Sequence, residues 1–344
     1  DQIGRRLGLS VGFGLATIGF LVAVLSLFSS SFILFCVGLG LVGAGRGAID
    51  QARYVAAEIH PYHKRAKAIG FIIFAGTIGA IGGPLLVTPS SSLAGSIGFP
   101  LDSGPYLVGT LACFIGLLLV FFLIKPDPLE LGKHFTDVEI KDSVAEERPL
   151  RQIFAQPLAQ LAVAAMVLSQ LVMTLIMVIT PLHMNLLNHS RSAISGVIMA
   201  HTLGMFGLSS VTGWLIDKYG RISIIIIGAV ILVASSLLTP ISESLPMLAL
   251  ALFLLGLGWN FCFVAGSSLL SDTLYATERG RAQGASDTLV SLSSGVGSLA
   301  TGAVFAFGGI VAVSGAGLAF TLALFALIIW ARLQEQQNQT PSNS

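Results

Sequence analysis

The chain alternates long apolar runs with short polar turns. A helix needs ~20 mostly apolar residues to cross ~30 Å of hydrocarbon. Ten runs reach that length: 7–28, 32–57, 67–88, 105–124, 157–181, 193–215, 222–240, 246–270, 283–307 and 312–332. Within them apolar positions are continuous rather than alternating, which favours helices over barrel strands. They are dense in Gly, Ser and Ala, the residues that let membrane helices approach closely. The one extended polar stretch, 125–152, separates four runs from six, and a polar tail at 334–344 is expected to be disordered. The pattern predicts an all-α polytopic membrane protein with two membrane segments, 1–124 and 153–333, joined by a loop at 125–152.

Composition supports the pattern. Apolar residues make up 54% and charged residues 10% of the 344, against about 25% charged in soluble domains, and mean hydropathy is +0.87. A net charge of +1 points to no nucleic-acid partner. The three cysteines, Cys36, Cys113 and Cys262, lie in apolar runs with neither zinc nor disulfide spacing. If the runs alternate across a bilayer, fifteen of the eighteen basic residues fall on one side, among them Arg5, Arg6, Lys64, Lys125, Lys218, Arg281 and Arg332. The positive-inside rule makes that side cytoplasmic, with the central loop and C terminus.

The chain also repeats. "DQIGRR" at 1–6 matches "DKYGRI" at 217–222, an offset of 216, and "EIHPYHKRAKAIG" from Glu58 matches "DTLYATERGRAQG" from Asp272, an offset of 214. Two motifs with nearly equal offsets indicate two homologous halves. Two runs precede Asp217 within its half and none precede Asp1, so the expectation is an N-terminally truncated piece of a twelve-helix protein, ten helices present.

These residues resemble the major facilitator superfamily of secondary transporters. Its loop signature, G-x-L-a-D-r-x-G-r-k, stands nearly complete as "GWLIDKYGRI" at 213–222, with its other copy cut at Asp1. The resemblance implies two six-helix halves that rock around a midplane cavity, with no cofactor. It also implies charge networks that latch the outward-facing state: Asp1, Gly4 and Arg5 with Glu58 and Arg65, and Asp217, Gly220 and Arg221 with Asp272 and Arg279. Asp287 is read first as a carboxylate at a positive helix end, second as a gate. In "GAIGGPLLVT", Gly79, Gly83 and Pro84 match the family's antiporter motif, while Val87 and Thr88 stand where glycines are expected. A Gly/Pro kink serving helix packing explains that stretch equally well.

Three features bear on chemistry. Gly38-Leu-Gly40-Leu-Val-Gly43 spells G-x-G-x-x-G, but a dinucleotide loop needs a βαβ unit, which the flanks do not supply. No P-loop motif occurs, and no nucleophile–base or metal constellation marks an enzyme. Arg46, Asp50 and Arg53, at i, i+4 and i+7, share one helix face; counted from Glu58, Asp50 lies ~12 Å and Arg46 ~18 Å inside the span. Charge at that depth is costly and reads as a substrate or proton site by default, with a self-neutralising structural triad as the alternative. The triad would hold Asp50 ionised, against a proton-carrying role. Trp259 and Asn260, in "LLGLGWNFCF", match the register of Arg46 and would offer a ring and an amide to a solute. His201 is either a proton carrier or a histidine bonded to a neighbouring helix.

The function expected is secondary transport of a small solute: proton-coupled antiport or efflux of a drug-like, amphiphilic compound. The alternatives are proton-coupled uptake of a small organic anion, resting on Arg46, and a non-transporting receptor of the same shape. The expected partners are the lipid bilayer, a small-molecule substrate and the proton, in a monomer of a prokaryotic cytoplasmic membrane.

Overall fold

The computed structural model describes residues 4–131, apart from 53–54, 57–58, 60–61 and 129, and residues 148–339, apart from 242 and 276–277. Every regular element among the described residues is helical, and the chain forms two compact units, Asp1–Val144 and Ala145–Ser344. The first holds α1 (Arg5–Phe28), α2 (Phe32–Ile49), α3 (Tyr62–Ser96) and α4 (Gly104–Leu123). The second holds the short α5 (Leu150–Ile153), then α6 (Pro157–Leu186), α7 (Arg191–Thr202), α8 (Ser209–Tyr219), α9 (Arg221–Leu238), α10 (Leu245–Asp272) and α11 (Arg279–Gln339).

Local chemistry sets several boundaries. Ser31 and Ser190 cap α2 and α7, their hydroxyls accepting from Leu34 N at 3.3 Å and Ala193 N at 3.2 Å. Proline occupies the first turn of α4, α6 and α10, where no intrahelical N–H bond is lost. Gly4 (φ 79°, ψ 155°) and Gly220 (φ 85°, ψ 158°) lead into α1 and α9 in a backbone region open essentially to glycine alone. The glycines of the two D-x-x-G-R copies therefore share one backbone conformation.

Among the described residues, seven helices are long and apolar enough to cross a membrane, eight if α7 and α8, bent by 41°, count as one broken span. The count differs from the ten expected for two reasons. The runs 283–307 and 312–332 fall in α11, whose 61 residues would extend ~90 Å if straight. It is not straight: Gly308 (φ −156°, ψ 26°) and Gly309 (φ 64°, ψ −155°) break it into arms 279–307 and 310–339. The run 67–88 falls in α3, where side chains 62–71, 73–74, 77 and 80 lie outside the described residues.

A second correction concerns the run 32–57. Its helix ends at Ile49 with Asp50 as C-cap. Asp50 N donates to Arg46 O at 2.8 Å, but Gln51 N reaches back only to Ala48 O, at 3.2 Å, and this tighter turn interrupts the helix. Arg46 and Asp50 thus flank a break in the run, beyond which residues 52 and 55–56 are helical again and Val55 N donates to Gln51 O at 3.1 Å.

Inside each unit the helices meet through glycine. In the first, a Cβ at Gly45 would lie 2.5 Å from Gly12 O, so α1 and α2 touch backbone to backbone. In the second, a Cβ at Gly258 would lie 3.0 Å from Gly228 O and 2.8 Å from Leu232 Cγ. Gly12 and Gly228 are 216 positions apart and Gly45 and Gly258 are 213 apart, so α9 and α10 repeat the α1–α2 contact. The second unit's interior is filled by Ile176, Ala229, Leu232, Leu252, Leu255 and Leu324. In hydrocarbon such packing stabilises through dispersion and close fit, because lipid tails are as apolar as the side chains. Phe32, Ile33, Leu299 and Phe307 are among the outward-facing side chains, as suits a protein surrounded by lipid.

Candidate functional site

Polar side chains gather at the middle of three helices of the second unit. Gln170 lies thirteen residues into α6, Trp259 fourteen into α10 and Ser294 fifteen into α11, about 20–22 Å along each axis. Trp259 Nε1 donates to Gln170 Oε1 at 2.8 Å. Gln170 Nε2 donates to Thr174 Oγ1 and Ser294 Oγ at 3.3 Å each, and the two hydroxyls lie 3.3 Å apart. The indole stacks on Phe263 with centroids 4.7 Å apart and 20° between planes, and Phe206 meets it edge-on at 6.2 Å. The group carries no formal charge. It can hold polar atoms of a solute through neutral donors beside a flat aromatic surface.

Trp259 thus stands in a polar cluster, as a solute-binding group would, though its N–H is already engaged. Asn260 has a different task from the one expected. The backbone between α7 and α8 passes through a π-turn, Leu203–Gly207. Asn260 Nδ2 donates to Met205 O at 2.6 Å and to Ser209 Oγ at 3.0 Å, and Thr212 Oγ1 donates to Asn260 Oδ1 at 2.5 Å. The amide is 2% exposed and its donors and acceptor are all engaged, so it secures the broken helix instead of facing a solute. His201 is also buried, with Nδ1 3.0 Å from Leu252 O. A carbonyl only accepts, so Nδ1 carries the proton, and the buried Nε2 has no hydrogen-bond partner.

In the first unit Arg46 Nε and Asp50 Oδ2 are 3.6 Å apart, with side chains 80% and 58% exposed. Arg53 lies outside the described residues. On α3, Gly79 and Gly83 have open space where a Cβ would be, and Pro84 sits inside the helix.

Of the motif residues, Arg221 Nε and Asp272 Oδ2 come within 2.8 Å, an ion pair whose Nε is not aligned for a hydrogen bond. Arg221 begins α9 and Asp272 ends α10, so each charge is at the unfavourable end of its helix dipole and the pairing offsets both. Asp217 is exposed and Asp287 half-buried. Asp1 and Glu58, with the side chains of Arg65 and Arg279, lie outside the described residues. The backbone N–H groups of Arg5 and Arg6 donate to Asp127 Oδ1 and Oδ2 at 3.1 and 3.2 Å, so Asp127 caps α1. A Cβ at Gly4 would lie 2.7 Å from that carboxylate.

Sequence reading passed over a third group. Glu278, 0% exposed, accepts from Arg148 N and Nε at 2.9 Å, from Arg148 Nη2 at 2.7 Å and from Tyr275 N at 3.1 Å. Arg148 also donates to Thr273 O at 3.0 Å and lies 4.4 Å over the Tyr275 ring. The hydrogen-bonded guanidinium holds the Glu278 carboxyl at about 2, far below the usual carboxylate range, and the same bond raises the Arg148 pKa. The residues ahead of α6 are thereby fastened to the turn between α10 and α11. Gln170 carried a signal that could have been found, an amide at the centre of an apolar run. Arg148 and Glu278 carried none, since each looks like an ordinary loop charge.

The Major Facilitator Superfamily model matches residues 1–188 and 162–344 of the chain. The uncharacterized MFS-type transporter YddS of Bacillus subtilis (strain 168) is 34% identical over 345 residues, covering 98% of this chain and 78% of the relative. The riboflavin transporter RfnT of Brucella anthropi is 30% identical over 289 residues, covering 84% of this chain and 70% of the relative. Among solved structures, a D-xylose–proton symporter superposes with a TM-score of 0.70 at 18% identity over 94% of this chain and 81% of its own. A peptide transporter, POT, in complex with alafosfalin gives 0.66 at 14% identity, over 96% and 80%. At such identities the last two speak for the fold alone.

Proposed function

We propose a function from one premise: the chain belongs to the Major Facilitator Superfamily. It is an integral, multi-pass membrane protein of a secondary-transport family. In this reading it moves a small amphiphilic, drug-like solute by alternating access, exchanging it outward for protons. The observation that carries the reading is the uncharged group at mid-helix, Gln170, Thr174 and Ser294 beside the stacked Trp259–Phe263 pair. A ring with a few polar atoms suits it better than a small ion does. Because one relative is named a riboflavin transporter, riboflavin is among the first solutes to offer. Asp50 and His201 are the proton-carrying candidates. The exposed Arg46 supports a second reading, uptake of a small organic anion with the guanidinium as its counter-charge. A receptor without flux is the third.

The proposal extends to topology: ten spans in a monomer of a prokaryotic cytoplasmic membrane, central loop and C terminus cytoplasmic, within a twelve-helix whole. Its support is internal. Gly256 is seated against the backbone of α7, whereas among the described residues nothing lies within 4 Å of a Cβ at Gly43, the matching position of α2. A pair equivalent to α7–α8 would occupy that side.

The test is the full-length protein in liposomes enclosing a pH dye, given riboflavin, cationic amphiphiles and small carboxylates in turn. The expected result is proton movement driven by amphiphiles and abolished by Asp50→Asn. Movement driven by carboxylates alone and lost in Arg46→Gln would select anion uptake. No flux with any solute, despite binding, would select the receptor.

A further inference from the structure

We infer that Gln170, Thr174 and Ser294 form the subsite for a carbonyl oxygen of a neutral, flat heterocycle, with Trp259 and Phe263 as the wall beside it. The inference rests on the transport reading for its purpose and on geometry for its chemistry. The four hydrogen bonds of the group are unequal. At 2.8 Å the Trp259–Gln170 bond is a normal one and fixes the amide. The other three contacts are all 3.3 Å, which is ~0.3–0.5 Å longer than such bonds usually are. They form a triangle of one amide nitrogen and two hydroxyls, each with a proton to give and none bound tightly. An acceptor oxygen placed among them would receive shorter bonds than the three groups now give one another.

The charge of the guest follows from what is absent. Among the described residues, the middle turns of α6, α10 and the 279–307 arm hold no Asp, Glu, Lys or Arg. A carboxylate entering there would lose its hydration to neutral donors, at a cost of several kcal/mol. A lactam or imide carbonyl loses far less, and its ring can lie against the indole.

Access follows from the helix that carries Ser294. On the 279–307 arm, Gly284, Thr288, Ser291, Gly295, Ser298 and Gly302 recur at intervals of four and three, all exposed in their unit. The other exposed edge holds Leu292, Val296 and Leu299, as a lipid-facing edge would. Ser294 borders the small, polar seam, and no atom lies within 4 Å of a Cβ at Gly295. The seam offers a solute a route to the triangle.

Lumichrome, a neutral fluorescent tricycle with an imide edge, is a suitable probe, and anthracene-2-carboxylate, flat but anionic and without that edge, is the comparison. Both are titrated by fluorescence against the purified full-length protein in detergent. Lumichrome is expected to bind at least tenfold more tightly than the carboxylate. Gln170→Leu should weaken it about tenfold, and Ser294→Ala about threefold, while a change at the exposed Lys218, Lys218→Gln, leaves it unchanged. Equal binding of the two probes, or lumichrome binding indifferent to Gln170→Leu in protein that elutes as one species, overturns the inference. Should Gln170→Leu not fold, the near-isosteric Gln170→Glu puts an acceptor where a donor is required and must abolish lumichrome binding for the inference to stand. Liposome flux separates the two claims. Solute flux intact in Gln170→Leu removes this subsite and leaves transport standing; lumichrome binding intact with no flux of any solute does the reverse.

Discussion

The helix pairs α1–α2 and α9–α10 are built on one plan and finished differently. Both begin from a glycine at φ near 80°, and both cross at a pair of glycines in matching positions, Gly12 with Gly45 and Gly228 with Gly258. One residue past the crossing the pairs part: Arg46 stands 80% exposed beside Asp50, whereas Trp259 is 8% exposed. The neighbouring turns follow suit. Among the described residues nothing lies within 4 Å of a Cβ at Gly43, while Gly256 lies against the α7 backbone, where His201 and Asn260 bond to the chain. A duplicated unit thus keeps the contact that sets helix separation and is free to vary the faces on either side. The contact defines the fold, and the faces differentiate the halves.

The most severe way to break the comparison is at the crossing itself. Gly45→Val and Gly258→Val should each prevent recovery of monodisperse protein, because a branched side chain would have to displace backbone. In the 344-residue chain Gly43→Val should be recovered normally and Gly256→Val should not; equal recovery of these two would remove the asymmetry. Next in size is the Glu278 carboxylate, with four donors and no solvent. Glu278→Ala should lower Tm more than any single loop substitution in the unit. Its folded pKa lies below the unfolded value of about 4.5, so its contribution is complete above that pH and disappears as pH falls through about 2. Wild type should therefore lose Tm faster than Glu278→Gln between those limits.

Asn260→Leu comes third. It frees the half-buried Met205 carbonyl and Ser209 hydroxyl and leaves Thr212 only its bond to Leu208 O at 3.1 Å; lost partners of this kind cost at most ~1–3 kcal/mol each, so proteolysis near 203–208 should accelerate. Asp127→Ala removes the cap of α1 and should cost ~1 kcal/mol, read as a small loss of Tm. The smallest effect belongs to Arg46→Gln. An exposed i,i+4 pair contributes about 0–1 kcal/mol, so Tm should not move, and any change in flux would be functional in origin.

Much of this was legible in the residues alone. Apolar length placed α1, α4, α6, α9 and α10 within a few residues, and the family resemblance put Arg221 and Asp272 in one charge network. What escaped the sequence depends on three dimensions. Where α2 stops is decided by one tight turn at Gln51, inside a run whose hydropathy does not change. Asn260 faces the α7–α8 break because that break exists, and no pattern announces a π-turn. Glu278 and Arg148, 130 positions apart, become partners only once the chain has folded. The Gly308–Gly309 break needs no such help, since two consecutive glycines between apolar runs interrupt a helix locally.

The capping of α1 by Asp127 sets an order of events. The two are separated by 122 positions, and a ribosome adding about 5–20 residues per second takes roughly 6 to 24 s to cover them. Throughout that interval α1 has an unfinished end, while the helices that follow it are produced and inserted. Its last ligand arrives only after α4 has emerged, so the first unit closes upon itself as its own synthesis finishes, and a chain arrested before residue 127 leaves α1 frayed.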